Sequence, residues 1–283
     1  MKFLFAIIIT LATFHGFAQN KRIEKLKEET LDKAYLLYKS ELASWHSTDL
    51  LLEHFKEKRS KIGGYLSYTQ EDKTVAIYFD RTTDRNVILS FTYENIIDFK
   101  NLYETDTVSR TPTQLETRLI VAREMARQTV SENEDKMFTF YKNSSYNYVP
   151  IIYDEKIVVY SLTGPQEGQL VLIGNDYKFE FDKKDRFKKA SRIHNSLLRF
   201  PFQAEEGSAG LSAITHSHII KEYPIVSETD LCTLMLYEPY VEWNKAYIIN
   251  EDYVSIWDME KRLLVILTMK AWERISEHQE TKN

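Results

Sequence analysis

Cys232 is the only cysteine in 283 residues, so no internal disulfide can form and the fold must be held by its buried side chains. The aromatic load meets that requirement. Eighteen Tyr, 15 Phe and 4 Trp cannot be kept in water cheaply, which excludes disorder over most of the length. With only 8 Gly and 6 Pro, collagen-like and low-complexity chains are excluded as well. The formal charge of −5 comes from interspersed acids and bases and offers no phosphate-seeking face. Nucleic acid is therefore not an expected partner.

The N-terminus reads as an export signal. Met1-Lys2 is a short basic start, Phe3 to Phe14 is apolar but for Thr10 and Thr13, and Gly16 and Ala18 stand at −3 and −1 of a cut before Gln19. The apolar run is too short to span a bilayer, which needs roughly 20 residues. The expectation is a signal peptide over 1–18, no transmembrane span after its removal, and an exported chain, periplasmic or secreted. A disulfide-free exported chain fits a Gram-negative bacterium better than a eukaryotic secretory route.

Residues 19–108 read as a helical and β-meander domain. Asn20 to Lys61 has no Gly or Pro and carries apolar residues near helical spacing, with Ser44 and Ser47-Thr48-Asp49 offering a break between two helices. Three strands follow, Tyr65–Tyr68, Val75–Phe79 and Val87–Tyr93, joined by polar turns. Residues 109–283 read as a second, α+β domain. Thr113 and Glu116 form a capping box for a helix to about Val130, and strands are expected at Phe138–Tyr141, Ile157–Leu162, Leu170–Ile173 and Lys178–Phe181. Ala190 to Leu198 is short and carries His194, a lone histidine read as structural, with lining the site as the alternative. Leu211–His218 is a strand, Ser227 caps a helix ending before Pro239, and three antiparallel strands close the chain.

The segment from His216 to Asp230 carries a chemical signal. His216 and His218 are two apart on a strand, so their imidazoles share a face. Two such imidazoles can hold one divalent ion, with Asp230 reaching in from the first turn of the next helix as third ligand and a water in the fourth position. Zinc there would lower the pKa of its water toward ~7. Ser227-x-x-Asp230 is equally a plain helix-capping box that needs no metal. Cys232 lies beside Leu231 and Leu234 and reads as a small buried thiol.

His216-x-His218, a spacer, then Ser227-x-x-Asp230 resembles the JAMM (JAB1/MPN+) metallopeptidase signature. The resemblance covers roughly Thr113 to Lys270, with an eight-residue spacer where seven is usual and Ile219 in place of a Pro. It implies a mixed sheet flanked by helices, zinc held by His216, His218 and Asp230, and Ser227 supporting the oxyanion. It also implies an upstream Glu as general acid/base. Glu155 is the positional choice and Glu180 the second. The expectation is thus an exported zinc peptidase acting on an amide or isopeptide bond of a peptide or protein. The alternative is a non-catalytic interaction module that keeps the fold without a working acid/base.

Overall fold

The computed structural model describes residues 2–94, 103–203 and 212–280, with side chains from 21 to 278. The side chains of the expected leader, 1–18, lie outside those described. In chain order the protein runs α1 (Lys2–His54), β1 (Ile62–Gln70), β2 (Lys73–Asp80), β3 (Val87–Glu94), β4 (Tyr103–Asp106) and α2 (Gln114–Glu132). Then come β5 (Ser144–Tyr153), β6 (Lys156–Pro165), β7 (Leu170–Gly174), β8 (Tyr177–Phe181), β9 (Phe187–Arg192) and β10 (Leu197–Pro201). The chain closes with β11 (Ala213–Ser217), α3 (Glu228–Tyr237), β12 (Lys245–Ile249), β13 (Tyr253–Asp258), β14 (Leu263–Thr268) and α4 (Met269–Glu280). The class is α+β. No helix among the described residues is long and apolar enough to cross a membrane.

Among the described residues four sheets result: β1-β2-β3-β4, β5-β6-β8-β9, the pair β7-β10, and β11-β12-β13-β14. All pairings are antiparallel except β11 with β12, where His216 sits opposite Ile248. A parallel neighbour cannot be reached by a hairpin, so the chain crosses over through α3 between these two strands.

The strand pleat joins what the sequence presents as two domains. On β2, Ala76 and Tyr78 enter one core while Ile77 and Phe79 enter the other, as alternate residues of a sheet covered on both faces must. The first core collects α1 (Ala34, Leu37, Leu42), β3 (Leu89, Phe91, Tyr93), α3 (Leu231, Leu234, Met235) and Trp243 and Trp257. The second places β1–β3 against α2 (Leu119, Ile120, Ala126) and β6 and β8 (Ile157, Val159, Phe179). Both cores thus draw on residues from either side of the 108/109 boundary.

Local differences from the sequence reading have identifiable causes. One helix continues to His54, because Thr48 Oγ1 and Ser47 Oγ donate back to the Ser44 carbonyl at 2.7 and 3.2 Å instead of capping a new helix. Ser44 and Ser47 spend their remaining capacity on Ser67 and Tyr78 of the first sheet, at 2.8 and 2.9 Å. Phe138–Tyr141 is not a strand; the strand starts at Ser144 and accepts Pro150 in its length. The Thr113–Glu116 capping box forms as expected, with both reciprocal bonds in place. Glu116 is wholly buried and bound by Arg110 through two 2.7 Å bonds.

Glu41, on the inward face of α1, is the buried acid that the fold tolerates least easily. Asn147 Nδ2 donates to it at 2.7 Å, yet burial outweighs this bond and the charge of Arg123, pushing its pKa up to about 7. An unfolded glutamate loses its proton near 4.5, whereas folded Glu41 keeps its own until about 7, so stability falls across that window by roughly 3 kcal/mol from this group alone. Urea unfolding of Glu41→Gln against wild type at pH 4.5 and 7.5 should show near parity at the lower pH and a gain for the variant approaching that figure at the higher. An equal difference at both pH values refutes the assignment.

Candidate metal centre

Strand β11 carries His216, and His218 follows just past its end, their side chains on one face. The backbone of His218 is pinned on both sides, its N–H to the Ile249 carbonyl at 2.8 Å and its carbonyl to Asn250 Nδ2 at 3.0 Å. The crossover then delivers the N-terminus of α3 to the end of β11. Ser227 caps that helix, accepting from the Asp230 N–H at 3.1 Å. Its own N–H and hydroxyl donate to Asp230 Oδ2, at 3.1 and 2.8 Å. The carboxylate is therefore held in one rotamer, in the first turn, where the helix dipole favours negative charge.

A fourth group comes from elsewhere in the chain. His194 lies between β9 and β10, and Asp230 Oδ1 stands 3.0 Å from its Nε2. His194, His216, His218 and Asp230 are all buried, and one ligand atom from each lies within 4.8 Å of the others. His216 Nε2 is 3.3 Å from His218 Nε2 and 3.5 Å from Asp230 Oδ1, while His218 Nε2 is 2.9 Å from Asp230 Oδ2. Metal–ligand bonds of ~2.05 Å in a tetrahedron separate neighbouring donors by about 3.3 Å. The observed separations bracket that value. Among the described residues Asp230 Oδ1 makes no well-aligned hydrogen bond, although His194 Nε2 and His216 Nε2 stand 3.0 and 3.5 Å from it.

The outer groups set which ring nitrogen faces inward. His218 Nδ1 is 3.0 Å from the Ile225 carbonyl, which fixes the proton there and leaves Nε2 free to ligate. His194 Nδ1 is 3.5 Å from Asp176 Oδ2, a looser contact of the same kind. Asp176 is itself buried and anchored by the Thr163 N–H at 2.9 Å. His216 Nδ1 has no partner. Gly174 makes the approach of the His194 loop possible. It has φ of +100°, and a Cβ there would meet the Ser196 carbonyl oxygen at 2.3 Å and His194 Cβ at 3.5 Å.

The electrostatics favour added positive charge. Burial works against ionised Asp230, but the three histidines outweigh it and hold its carboxyl well below the usual range. Burial likewise works against a charged His194, and Asp230 and Asp176 outweigh that, raising it to about 10. The four groups are thus built to hold a proton or another cation. Three imidazoles and one carboxylate match a zinc-like ion better than Mg²⁺ or Ca²⁺, which take oxygen donors. The residues present can hold a metal ion.

The sequence-predicted residues divide clearly. His216, His218 and Asp230 converge. Ser227 joins them, but its hydroxyl is fully buried and committed to Asp230, so the structure gives it a capping role in place of the expected oxyanion contact. Glu155 does not come to the site. It sits in the β5–β6 turn with its side chain 79% exposed and paired with Lys183. Thr163, which meets Asp176, is eight residues further along β6, about 26 Å at ~3.3 Å per residue. Glu180, on β8, is paired with Lys189 at 3.0 Å. His194 occupies the position expected for water. No local spacing marks it, since it stands 22 residues before His216 and meets it only through the tertiary fold.

No protein-family model matches the sequence, and neither curated proteins nor solved structures gave a match.

Zinc titration monitored calorimetrically should separate these residues. His194→Ala and Asp230→Ala should weaken binding at least as severely as loss of an outer-shell partner, about 10–100-fold. Glu155→Ala should leave it unchanged. Unaltered affinity in His194→Ala would exclude that residue as a ligand.

Proposed function

We propose that this is a metal-binding protein whose His194, His216, His218 and Asp230 take up one zinc-like divalent ion, and that the ion fastens the fold without supporting peptide hydrolysis. The observation that carries this reading is the convergence of three buried imidazoles on the two oxygens of a buried carboxylate, with nearest separations of 2.9–3.5 Å and one ligand atom from each residue within 4.8 Å of the others. Four protein ligands make a closed set, and closed sets are the rule for structural zinc, whereas catalytic zinc keeps a position open for water. The ion would link three segments, the β9–β10 loop, β11 and the start of α3. In an exported chain, as the leader implies, it serves where disulfides serve other proteins.

The peptidase reading implied by the JAMM resemblance shares this ion and differs in what surrounds it. Zinc of that kind supplies a polarised water as nucleophile, and the protein must then supply a carboxylate to move its proton. Among the described residues the carboxylate beside the cluster, other than Asp230, is Asp176, which faces His194 Nδ1 and the Thr163 N–H. The cavity against the histidines measures about 60 Å³, well below the ~300 Å³ at which ligand pockets begin. Both facts favour the alternative, an exported non-catalytic module with a JAMM-like arrangement of strand, helix and metal ligands.

Metal analysis of the purified mature protein beside the His216→Ala, His218→Ala double variant tests the proposal. The expected result is about one equivalent in wild type, near none in the variant, and no amide-bond turnover in either. At a hundredfold excess over Kd, zinc should stabilise wild type by about 2.7 kcal/mol, read as a higher Tm that a chelator abolishes. Equal metal content in the two proteins overturns the reading.

A further inference from the structure

Three imidazoles and one carboxylate surround the proposed ion unequally. The cavity of about 60 Å³ is lined by His194, His216 and His218 but not by Asp230 or Ser227. Asp230 instead lies behind, its Oδ2 closed off by the Ser227 N–H and hydroxyl. The remaining wall includes Asn195 and Ser196 of the β9–β10 loop, both solvent-exposed, and half-buried Ile220 past β11. The crevice therefore leads from solvent to the face bounded by the three histidines. It is several times the ~10–15 Å³ that one water requires, and too small for a peptide segment.

We propose that the ion held by these four residues accepts a fifth, exchangeable ligand through the His194–His216–His218 face, opposite Asp230, and that this ligand is a water or a small anion of two or three atoms. The inference rests on the metal-centre reading above. Four-coordinate zinc can expand to five, and the crevice lined by the three histidines offers the approach. Exchange is a plain substitution: an incoming anion donates an electron pair to the metal as water leaves, with no change of oxidation state and no proton required. The selectivity is steric. His216 and His218 are fixed by the β11–β12 pairing and by Asn250, and Gly174 fixes the approach of the His194 loop, so the opening cannot widen without moving a strand end.

Zinc is spectroscopically silent, so the test uses the protein loaded with cobalt(II) and titrated with azide. Visible d–d bands should shift as azide takes the place of water, with a single saturable phase. Ser196→Trp and Ile220→Trp each place an indole at the rim without touching a ligand. Each should keep one equivalent of cobalt while binding azide at least about tenfold more weakly, a ratio worth ~1.4 kcal/mol. Full cobalt uptake with bands indifferent to azide overturns the fifth position and leaves the metal centre standing. Unchanged azide affinity in both rim variants overturns the crevice as the route. Absence of cobalt uptake overturns both this inference and the reading on which it rests.

Discussion

The Asp230 carboxylate is 1% exposed, and the arrangement around it follows from that burial. An unpaired ion in a protein interior costs several kcal/mol, so every neighbour must compensate. Ser227 supplies two donors and the helix its dipole. His194 adds positive charge: burial works against its ionisation, but Asp230 and Asp176 outweigh that and raise it to about 10. His216 and His218 present Nε2 to each other at 3.3 Å, and His218 carries its proton on the far nitrogen, bonded to Ile225. A cation at the centre, proton or metal, is what resolves the conflict, and the donor spacing suits the larger of the two.

The fold brings this about through one topological irregularity. Among the described residues the other twelve strands pair only antiparallel, but β11 and β12 run parallel and force α3 across. A crossover places the helix N-terminus near the carboxyl end of the preceding strand, the position at which open sheets with such connections gather their ligands. The opposite side of α3 is not idle. Leu231, Leu234 and Met235 share a core with Ala34, Leu37 and Leu42 of α1. The N-terminal region thus braces the helix that positions Asp230, and loss of that packing would reach the ligands through a rigid element.

How much of this was legible in the sequence depends on the range of each interaction. Both capping boxes, Thr113–Glu116 and Ser227–Asp230, are four-residue patterns and were readable. So were β2, β3, β6, β7 and β8, whose β-branched and aromatic runs stand between turn residues. His216 and His218 share a face by strand geometry alone. His194 is different: its place depends on β7 pairing with β10, on Gly174 at positive φ and on Asp176 beyond the turn, and none of these has a local signature. Glu155 failed for the converse reason. Order along the chain put it before the right strand, but the site forms at the other end of that strand. That two cores each draw on both sides of 108/109 was not legible, because the pleat of β2 sends alternate residues into them.

The single buried cysteine with which the sequence begins its constraints acquires a further meaning here. Cys232 lies in α3 two residues from Asp230, in the apolar core, with burial pushing its thiol up well beyond reactivity. It has no second cysteine to pair with, so no covalent link ties the β9–β10 loop to β11 and α3. Coordination of an ion by His194, His216, His218 and Asp230, as proposed, would tie those same segments. Because the donors are separated by up to 36 residues in sequence, the unfolded chain presents them far apart and binds the ion weakly, so binding free energy accrues to the folded state. A disulfide acts mainly by restricting the unfolded chain; an ion bound only by the native one reaches the same end from the other side, and unlike the disulfide it is withdrawn when the ion is.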